Sequence, residues 1–103
     1  MEWQDQPMLV ILNLNGMYNI RIDKDIRLND ATFTLSSIAY HGADHYTTRV
    51  VRGTHLWYHD GIETGNLLVY EEDIQTANLN NCKARNACNI VYRLTSWHNQ
   101  FYT

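Results

Sequence analysis

The sequence has little proline, few cysteines, no block of basic residues and no long apolar run, and each shortage argues against a class of protein. One proline, seven tyrosines, three tryptophans and a hydrophobic content of 45% indicate a folded, β-rich domain rather than a disordered chain. No apolar run reaches the roughly 18 residues that a membrane-spanning helix needs. Acidic and basic residues are interspersed at a net charge of −3, which is not the electrostatic pattern of a nucleic-acid-binding protein.

Cys82 and Cys88 are the only cysteines, and they lack the C-x-x-C spacing of a zinc or redox site. A disulfide between them is one alternative, but free thiols in a reducing compartment are favoured. Glu2 and Asp5 precede the first hydrophobic run, which is not the order of a secretory signal. We therefore predict an intracellular protein, cytoplasmic or nuclear.

Short runs of β-forming residues predict a mostly β protein, with residues 1–103 forming a single domain. The continuous apolar run at 8–12 predicts a central strand buried on both faces. Gly16 predicts a turn, and alternation at 18–22 predicts a half-exposed strand. Further strands are predicted at 26–28, 32–40, 45–52, 55–60, 67–70 and 87–94, with a hairpin turn at residues 53 and 54.

Two later segments are less regular. Residues 71–81 could form one or two helical turns, although their apolar spacing is poor. The asparagine-rich stretch 78–89 is interpreted as a solvated loop, and the tail from Trp97 onward fits no single element.

The predicted hairpin brings a histidine and an aspartate together. If Arg52 pairs with His55 across a two-residue turn, residues whose numbers sum to 107 face each other, so Asp60 lies opposite Thr47. His45 is two residues from Thr47 and therefore points to the same face. A four-residue turn keeps this register, whereas a three-residue turn would place the pair on opposite faces. His45 and Asp60 are then diagonal neighbours within reach of a hydrogen bond.

Two interpretations of His45 and Asp60 are open at this point. The pair can be an ordinary polar contact at a strand end. Alternatively, it can be a base with its orienting carboxylate, because a carboxylate beside an imidazole selects one tautomer and favours the protonated form. A base and its carboxylate are two members of a nucleophilic hydrolase site, which also needs a nucleophile.

Five short motifs in order resemble the C-terminal half of the ubiquitin-specific proteases, which are papain-like deubiquitinases. The matching segments are 7–14 (PMLVILNL), 33–42 (FTLSSIAYHG), 44–47 (DHYT), 57–60 (WYHD) and 87–93 (ACNIVYR). The resemblance implies an antiparallel sheet like the palm of that family, with a little helix at its edges. It also implies that His45 is the catalytic histidine and Asp60 the third member of the triad.

The chain departs from this family at the nucleophile. The family's upstream cysteine box, G-N-x-C-Y, and its zinc-binding C-x-x-C pairs do not occur in this sequence. Neither Cys82 nor Cys88 precedes a predicted helix, where a thiolate would be favoured. Asp44 replaces the glycine before the histidine, the loop from 41 to 45 is short, and the spacing from Trp57 to Asp60 is one residue shorter than usual.

Histidine and aromatic side chains are further candidates for ligand binding. The pairs His41/His45 and His55/His59 have i, i+4 spacing, which on a strand separates them by about 13 Å, too far for one metal ion. The aromatic residues Tyr40, Tyr46, Trp57 and Tyr58 are expected to pack in the core and across strands rather than bind a ligand. We expect no metal and no cofactor.

Two functions follow as hypotheses. The first is a ubiquitin-specific-protease-like half that carries His45 and Asp60 without a nucleophile. It would be inactive alone or dependent on a cysteine-bearing half-domain, with ubiquitin or a ubiquitin-like protein as its partner. The second is a non-catalytic protein-binding or self-associating β-module, because a half-domain leaves sheet faces and edges uncovered. Neither hypothesis involves nucleic acid or a membrane.

Overall fold

The computed structural model describes residues 8–14 and 21–97, and these form an antiparallel β-sheet. The strands are β1 (Leu9–Asn13), β2 (Asp25–Leu28), β3 (Ala31–Gly42), β4 (His45–Arg52), β5 (His55–His59), β6 (Val69–Asp73), β7 (Asn81–Cys82) and β8 (Arg85–Trp97). The order across the sheet is β1-β8-β3-β4-β5-β6, with β2 paired to β3 and β7 paired to β8. The described residues include no helix, so the prediction of a mostly β protein is confirmed.

Tight hairpins set most of this order. Three connections each have two turn residues with positive φ. These residues are Asn29 and Asp30 between β2 and β3, Ala43 and Asp44 between β3 and β4, and Lys83 and Ala84 between β7 and β8. That backbone conformation matches the twist of antiparallel strands. In the β4–β5 hairpin, Gly53 takes the positive φ of 63°. The short turns force consecutive strands to pair.

The long strand β3 keeps one face buried along its length because it contains a bulge. Ala31, Phe33 and Leu35 are buried, and then the buried positions change parity to Ile38 and Tyr40. The register with β8 slips between Leu35 and Ser37. One extra residue in a strand shifts the alternation by one, so both halves of β3 contribute to the same core.

Irregular segments cover the buried face of the sheet. Ile22 and Ile74 belong to the hydrophobic core, although both lie outside the strands. The hydroxyl of Tyr40 donates to the Leu79 carbonyl at 2.7 Å, and that of Tyr92 donates to the Asp23 carbonyl at 2.6 Å. Both buried tyrosines therefore satisfy their polar ends by anchoring a covering segment to the sheet.

The prediction of a buried central strand at 8–12 is wrong. β1 lies at one end of the sheet order, and Met8, Leu9 and Ile11 are 71%, 55% and 64% exposed. A continuous apolar run indicates burial on both faces only when other elements cover both faces. Among the described residues, β1 pairs on one side with β8.

The structure also corrects the interpretation of residues 71–89. The helical turns suggested for 71–81 are absent, because β6 extends through Asp73 and a turn follows. The stretch 78–89 contains the β7–β8 hairpin rather than only a solvated loop, and Cys82 within it is buried. The predicted strand at 67–70 lies two residues later, as β6. The turn at Gly16 and most of the predicted strand 18–22 lie outside the described residues, while Arg21 and Ile22 are not in a strand.

Within the described residues, no helix has the length and apolar character that crossing a membrane requires.

Candidate functional site

The β4–β5 hairpin brings His45 and Asp60 together. Arg52 pairs with His55 and Thr48 with His59, which is the register that the sequence predicts. His45 Nε2 lies 2.7 Å from Asp60 Oδ1. Asp60 directly follows β5, and His45 begins β4. The predicted proximity of these two side chains is therefore confirmed, and their role stays a separate question.

The Asp60 carboxylate is held by the loop that follows it. Its Oδ1 accepts the backbone N–H groups of Ile62 at 2.8 Å and Glu63 at 3.4 Å. The hydroxyl of Thr64 accepts the Asp60 N–H at 3.0 Å and donates to the Asp60 carbonyl, also at 3.0 Å. An aspartate that bonds backbone groups two or three residues ahead forms an Asx turn. This turn fixes the direction in which the carboxylate points.

A tyrosine supports the other side of the carboxylate. Tyr58 donates its hydroxyl to Asp60 Oδ2 at 3.3 Å. Its ring lies beneath Lys83, whose Nζ is 4.3 Å from the ring centroid and 3.6 Å from Glu63. Burial, followed by the charge of Asp60, raises the pKa of Tyr58 to about 12. The hydroxyl therefore stays protonated and remains a donor to Asp60.

The electrostatics of the pair assign its tautomer. The hydrogen bond from His45, followed by that from the Ile62 N–H, lowers the pKa of Asp60 from 3.8 to about 2. An ionised carboxylate can only accept hydrogen bonds, so His45 Nε2 carries the proton and donates it. In the neutral imidazole, Nδ1 is then the basic nitrogen. No described residue forms a hydrogen bond with Nδ1, and the His45 side chain is 23% exposed.

Neither cysteine forms a hydrogen bond with His45 or Asp60. Cys82 is buried, and its Sγ lies 3.9 Å from Glu71 Oε2. Cys88 lies 3.4 Å from the carbonyl oxygen of Ala39. Burial is the main cause that raises the pKa of both thiols. Both cysteines are free, as the sequence favours, and both are protonated at neutral pH rather than poised as nucleophiles.

The remaining histidines of the described residues lie elsewhere. The ring of His41 contacts that of Tyr46 with centroids 4.3 Å apart, and His55 contacts Tyr70. His59 pairs with Thr48, so it points to the opposite face from His45. His98 lies outside the described residues. Within residues 8–14 and 21–97, no group of three histidine, cysteine or acidic side chains could hold a metal ion.

The aromatic residues divide between core and surface. Tyr40 and Tyr58 are buried as expected, Trp57 is half-buried, and Tyr46 is 62% exposed. Tyr46 lines an open polar cleft of about 320 Å³ together with Asn13, His41, Cys88 and Asn89. Tyr46 neighbours His45 on β4, so it points to the other face of the sheet. The cleft is therefore separate from the pair of His45 and Asp60.

The sequence analysis did not predict the hydrogen bonds that the Asp60 carboxylate accepts from its following loop and from Tyr58. The signal available was Asp60 followed by Gly61, a dipeptide that marks a turn. It did not indicate that the Ile62 and Glu63 amides would bond the carboxylate. A buried cluster around Arg49 was also missed, because its partners Glu71 and Asn78 are distant in sequence.

Comparisons with known proteins identify no relative of this chain. No protein-family model, no curated protein and no solved structure matches this chain. The fold and the site therefore define the protein as an antiparallel β-sheet protein with a buried, oriented aspartate bonded to a largely buried histidine.

The depressed pKa of Asp60 makes a prediction about acid stability. A carboxyl whose pKa is about 2 in the folded state and 3.8 ordinarily stabilises the fold fully above the ordinary value. That stabilisation is lost as the pH falls through about 2. We expect Asp60→Asn to reduce the pH dependence of the urea midpoint between about pH 2 and pH 4.

Asp44→Asn is the matched control, because Asp44 lies in an exposed turn and forms no hydrogen bond with a described side chain. Its urea midpoints should follow those of the wild type across the same pH series. An unchanged slope in Asp60→Asn would show that the carboxylate does not contribute as described.

Proposed function

We propose that this chain supplies the general base and the orienting carboxylate of a ubiquitin-specific-protease-like hydrolase, with His45 as the base and Asp60 as its support. The supporting observation is the 2.7 Å hydrogen bond between His45 Nε2 and a buried, backbone-bonded carboxylate. The resemblance of five ordered sequence motifs points to the same pair. The nucleophilic thiol comes from a cysteine-bearing partner half, because the thiols of Cys82 and Cys88 contact Glu71 and the Ala39 carbonyl rather than His45, and burial raises the pKa of both.

The chemistry assigned to this pair is that of a cysteine-type acyl transfer. His45 Nδ1 removes the proton from the partner's thiol, and the thiolate attacks the carbonyl carbon at the ubiquitin C-terminus. The resulting imidazolium then protonates the leaving amine as the carbon–nitrogen bond breaks. Asp60 accepts the hydrogen bond from Nε2 throughout and stabilises the imidazolium by its charge. Water afterwards hydrolyses the thioester and releases the thiol.

The first test uses a fluorogenic ubiquitin C-terminal amide as substrate. The chain alone should release no fluorophore above background, because a base without a nucleophile does not form the acyl intermediate. Release that survives both Cys82→Ser and Cys88→Ser would overturn the assignment of the thiol to a partner. Binding of ubiquitin, followed by chemical-shift changes in the labelled chain, should be detectable in the same preparation.

The second test measures the base itself. Hydrolysis of an activated ester such as p-nitrophenyl acetate requires an accessible imidazole but no cysteine. General-base catalysis accelerates reactions roughly 10²- to 10⁴-fold in enzymes. We expect the rate of ester hydrolysis by His45→Gln to be at least about tenfold lower than that of the wild type. Asp60→Asn should also lower the rate of hydrolysis. An asparagine side chain no longer selects the His45 tautomer in which Nε2 carries the proton and Nδ1 is free.

His55→Gln is the matched control for these variants. His55 is exposed on the neighbouring strand and contacts Tyr70 rather than a carboxylate. Its substitution should leave the rate close to that of the wild type. Equal losses in His45→Gln and His55→Gln would mean that the oriented pair has no special basicity.

A further inference from the structure

Lys83, in the turn between β7 and β8, contacts two of the residues that hold the Asp60 carboxylate. Its Nζ lies 4.3 Å from the centroid of the Tyr58 ring and 3.6 Å from Glu63 Oε1. Tyr58 donates its hydroxyl to Asp60 Oδ2, and Glu63 donates its backbone N–H to Asp60 Oδ1. One ammonium group therefore contacts a support of each carboxylate oxygen.

The two contacts of Lys83 are individually modest. Tyr58 is buried, so the ammonium lies over a ring that packing already fixes, and the quadrupole of an aromatic ring attracts a cation at its face. The side chains of Lys83 and Glu63 are both exposed, and an exposed ion pair is weak. Acting together, the contacts restrain the Tyr58 ring and the loop that contains Glu63 relative to each other.

The backbone conformation of the turn does not explain why its first residue is a lysine. Lys83 and Ala84 have φ values of 49° and 67°. A two-residue turn with positive φ at both positions favours Asn-Gly or Asp-Gly, because the left-handed region is unfavourable for most residues with a β-carbon. The β2–β3 turn follows this preference with Asn29 and Asp30. A residue that departs from the local preference indicates a role for its side chain.

We propose that Lys83 is a positioning residue for the pair of His45 and Asp60. By restraining Tyr58 and Glu63, it keeps the carboxylate in the orientation in which Oδ1 accepts the hydrogen bond from His45 Nε2. Lys83 acts through these neighbours and is assigned no contact with a substrate. Its effect on hydrolysis rests on the proposed function, whereas its effect on the hydrogen bond between His45 and Asp60 does not.

The exchange of the His45 Nε2–H proton with water, measured by nuclear magnetic resonance, tests the proposal. Lys83→Asn removes both contacts of the ammonium, while asparagine suits the left-handed turn. We expect this proton to exchange about two- to fivefold faster than in the wild type, as the loss of two weak contacts implies. The urea midpoint should equal or exceed that of the wild type, because the turn is relieved. A merely structural lysine would change the midpoint without accelerating this exchange.

Two further variants serve as controls for Lys83→Asn. Lys83→Arg keeps a cation over the Tyr58 ring and beside Glu63, so its exchange rate should match that of the wild type. Ala84→Gly relieves the neighbouring left-handed position without changing a charge and should also leave the exchange unchanged. Wild-type exchange in Lys83→Asn, equal acceleration in either control, or acceleration accompanied by a lower urea midpoint would overturn the proposal.

Ester hydrolysis by the same variants separates this proposal from the proposed function. If His45 is the base, Lys83→Asn should hydrolyse p-nitrophenyl acetate about two- to fivefold more slowly than the wild type. Faster proton exchange with an unchanged rate of hydrolysis would support the positioning role of Lys83 and contradict the assignment of His45 as the base. Unchanged proton exchange would overturn the positioning role, whatever the rate of hydrolysis.

Discussion

Arg49→Ala is expected to lower the free energy of unfolding by about 3–5 kcal/mol, as is typical when one partner of a buried ion pair is removed. Arg49 is 3% exposed on the buried face of β4. Its guanidinium donates two hydrogen bonds to the Glu71 carboxylate, at 2.8 and 2.9 Å. It also donates to the Asn78 carbonyl at 2.6 Å and to the Tyr40 hydroxyl at 3.2 Å.

The loss is large because the partners of Arg49 cannot regain water fully. The Glu71 side chain is 21% exposed, so its charge would be left partly desolvated and without compensation. The Tyr40 hydroxyl would lose a donor inside the core. Domains of this size have about 5–15 kcal/mol of total stability, so the variant should unfold at a much lower urea concentration.

Urea unfolding followed by circular dichroism measures this effect. Arg52→Ala, on the exposed end of the same strand, should change stability by about 0.5 kcal/mol or less. The double variant Arg49→Met with Glu71→Leu should recover most of the loss, because an apolar pair has no charge to desolvate. A single-variant loss below about 1 kcal/mol would mean that water reaches the cluster.

Phe33→Ala is expected to cost about 3–5 kcal/mol, the usual range for a fully buried phenylalanine. Phe33 has no exposed surface and lies on β3, paired with Ile26 on one side and Leu94 on the other. Its removal leaves a cavity that two neighbouring strands hold open, since both are tied to β3 by backbone hydrogen bonds. The measurement is again the urea midpoint with its slope.

The exposed aromatic residue Tyr46 provides the control for Phe33. Tyr46 is 62% exposed on β4, so Tyr46→Ala should cost about 1 kcal/mol or less. Phe33→Leu should have an intermediate effect, because it fills part of the cavity. Similar losses in Phe33→Ala and Tyr46→Ala would show that β-propensity, rather than burial, explains both.

The strands could be predicted well where the signal is local. The strands β4 and β5 and the turn between them follow from alternating β-formers and from Gly53, which takes the positive φ at that turn. Because a two-residue turn sets the register of its hairpin, the neighbourhood of His45 and Asp60 could also be worked out in advance. That part of the candidate site depends on residues only fifteen apart in sequence.

The remaining features depend on contacts between distant segments. Nothing in the run at 8–12 indicates how exposed its side chains are among the described residues, so its position at one end of the strand order was predicted wrongly. The bulge in β3 arises where its register with β8 slips, more than fifty residues away. The bond from Arg49 to Glu71 likewise requires the segment after β5 to fold back. Contacts between such distant segments produce no periodic pattern of apolar residues from which they could be predicted.

The amino-acid sequence by itself determined the β character of the chain, the β4–β5 register and the shared face of His45 and Asp60, because side-chain alternation and turn chemistry are local properties. Only the tertiary structure decided that Asp60 is buried and bonded to the Ile62 amide, that the two thiols contact Glu71 and the Ala39 carbonyl, and that β1 lies at one end of the strand order. Burial and edge position depend on which distant segments cover a strand, and that is settled only when the whole sheet packs.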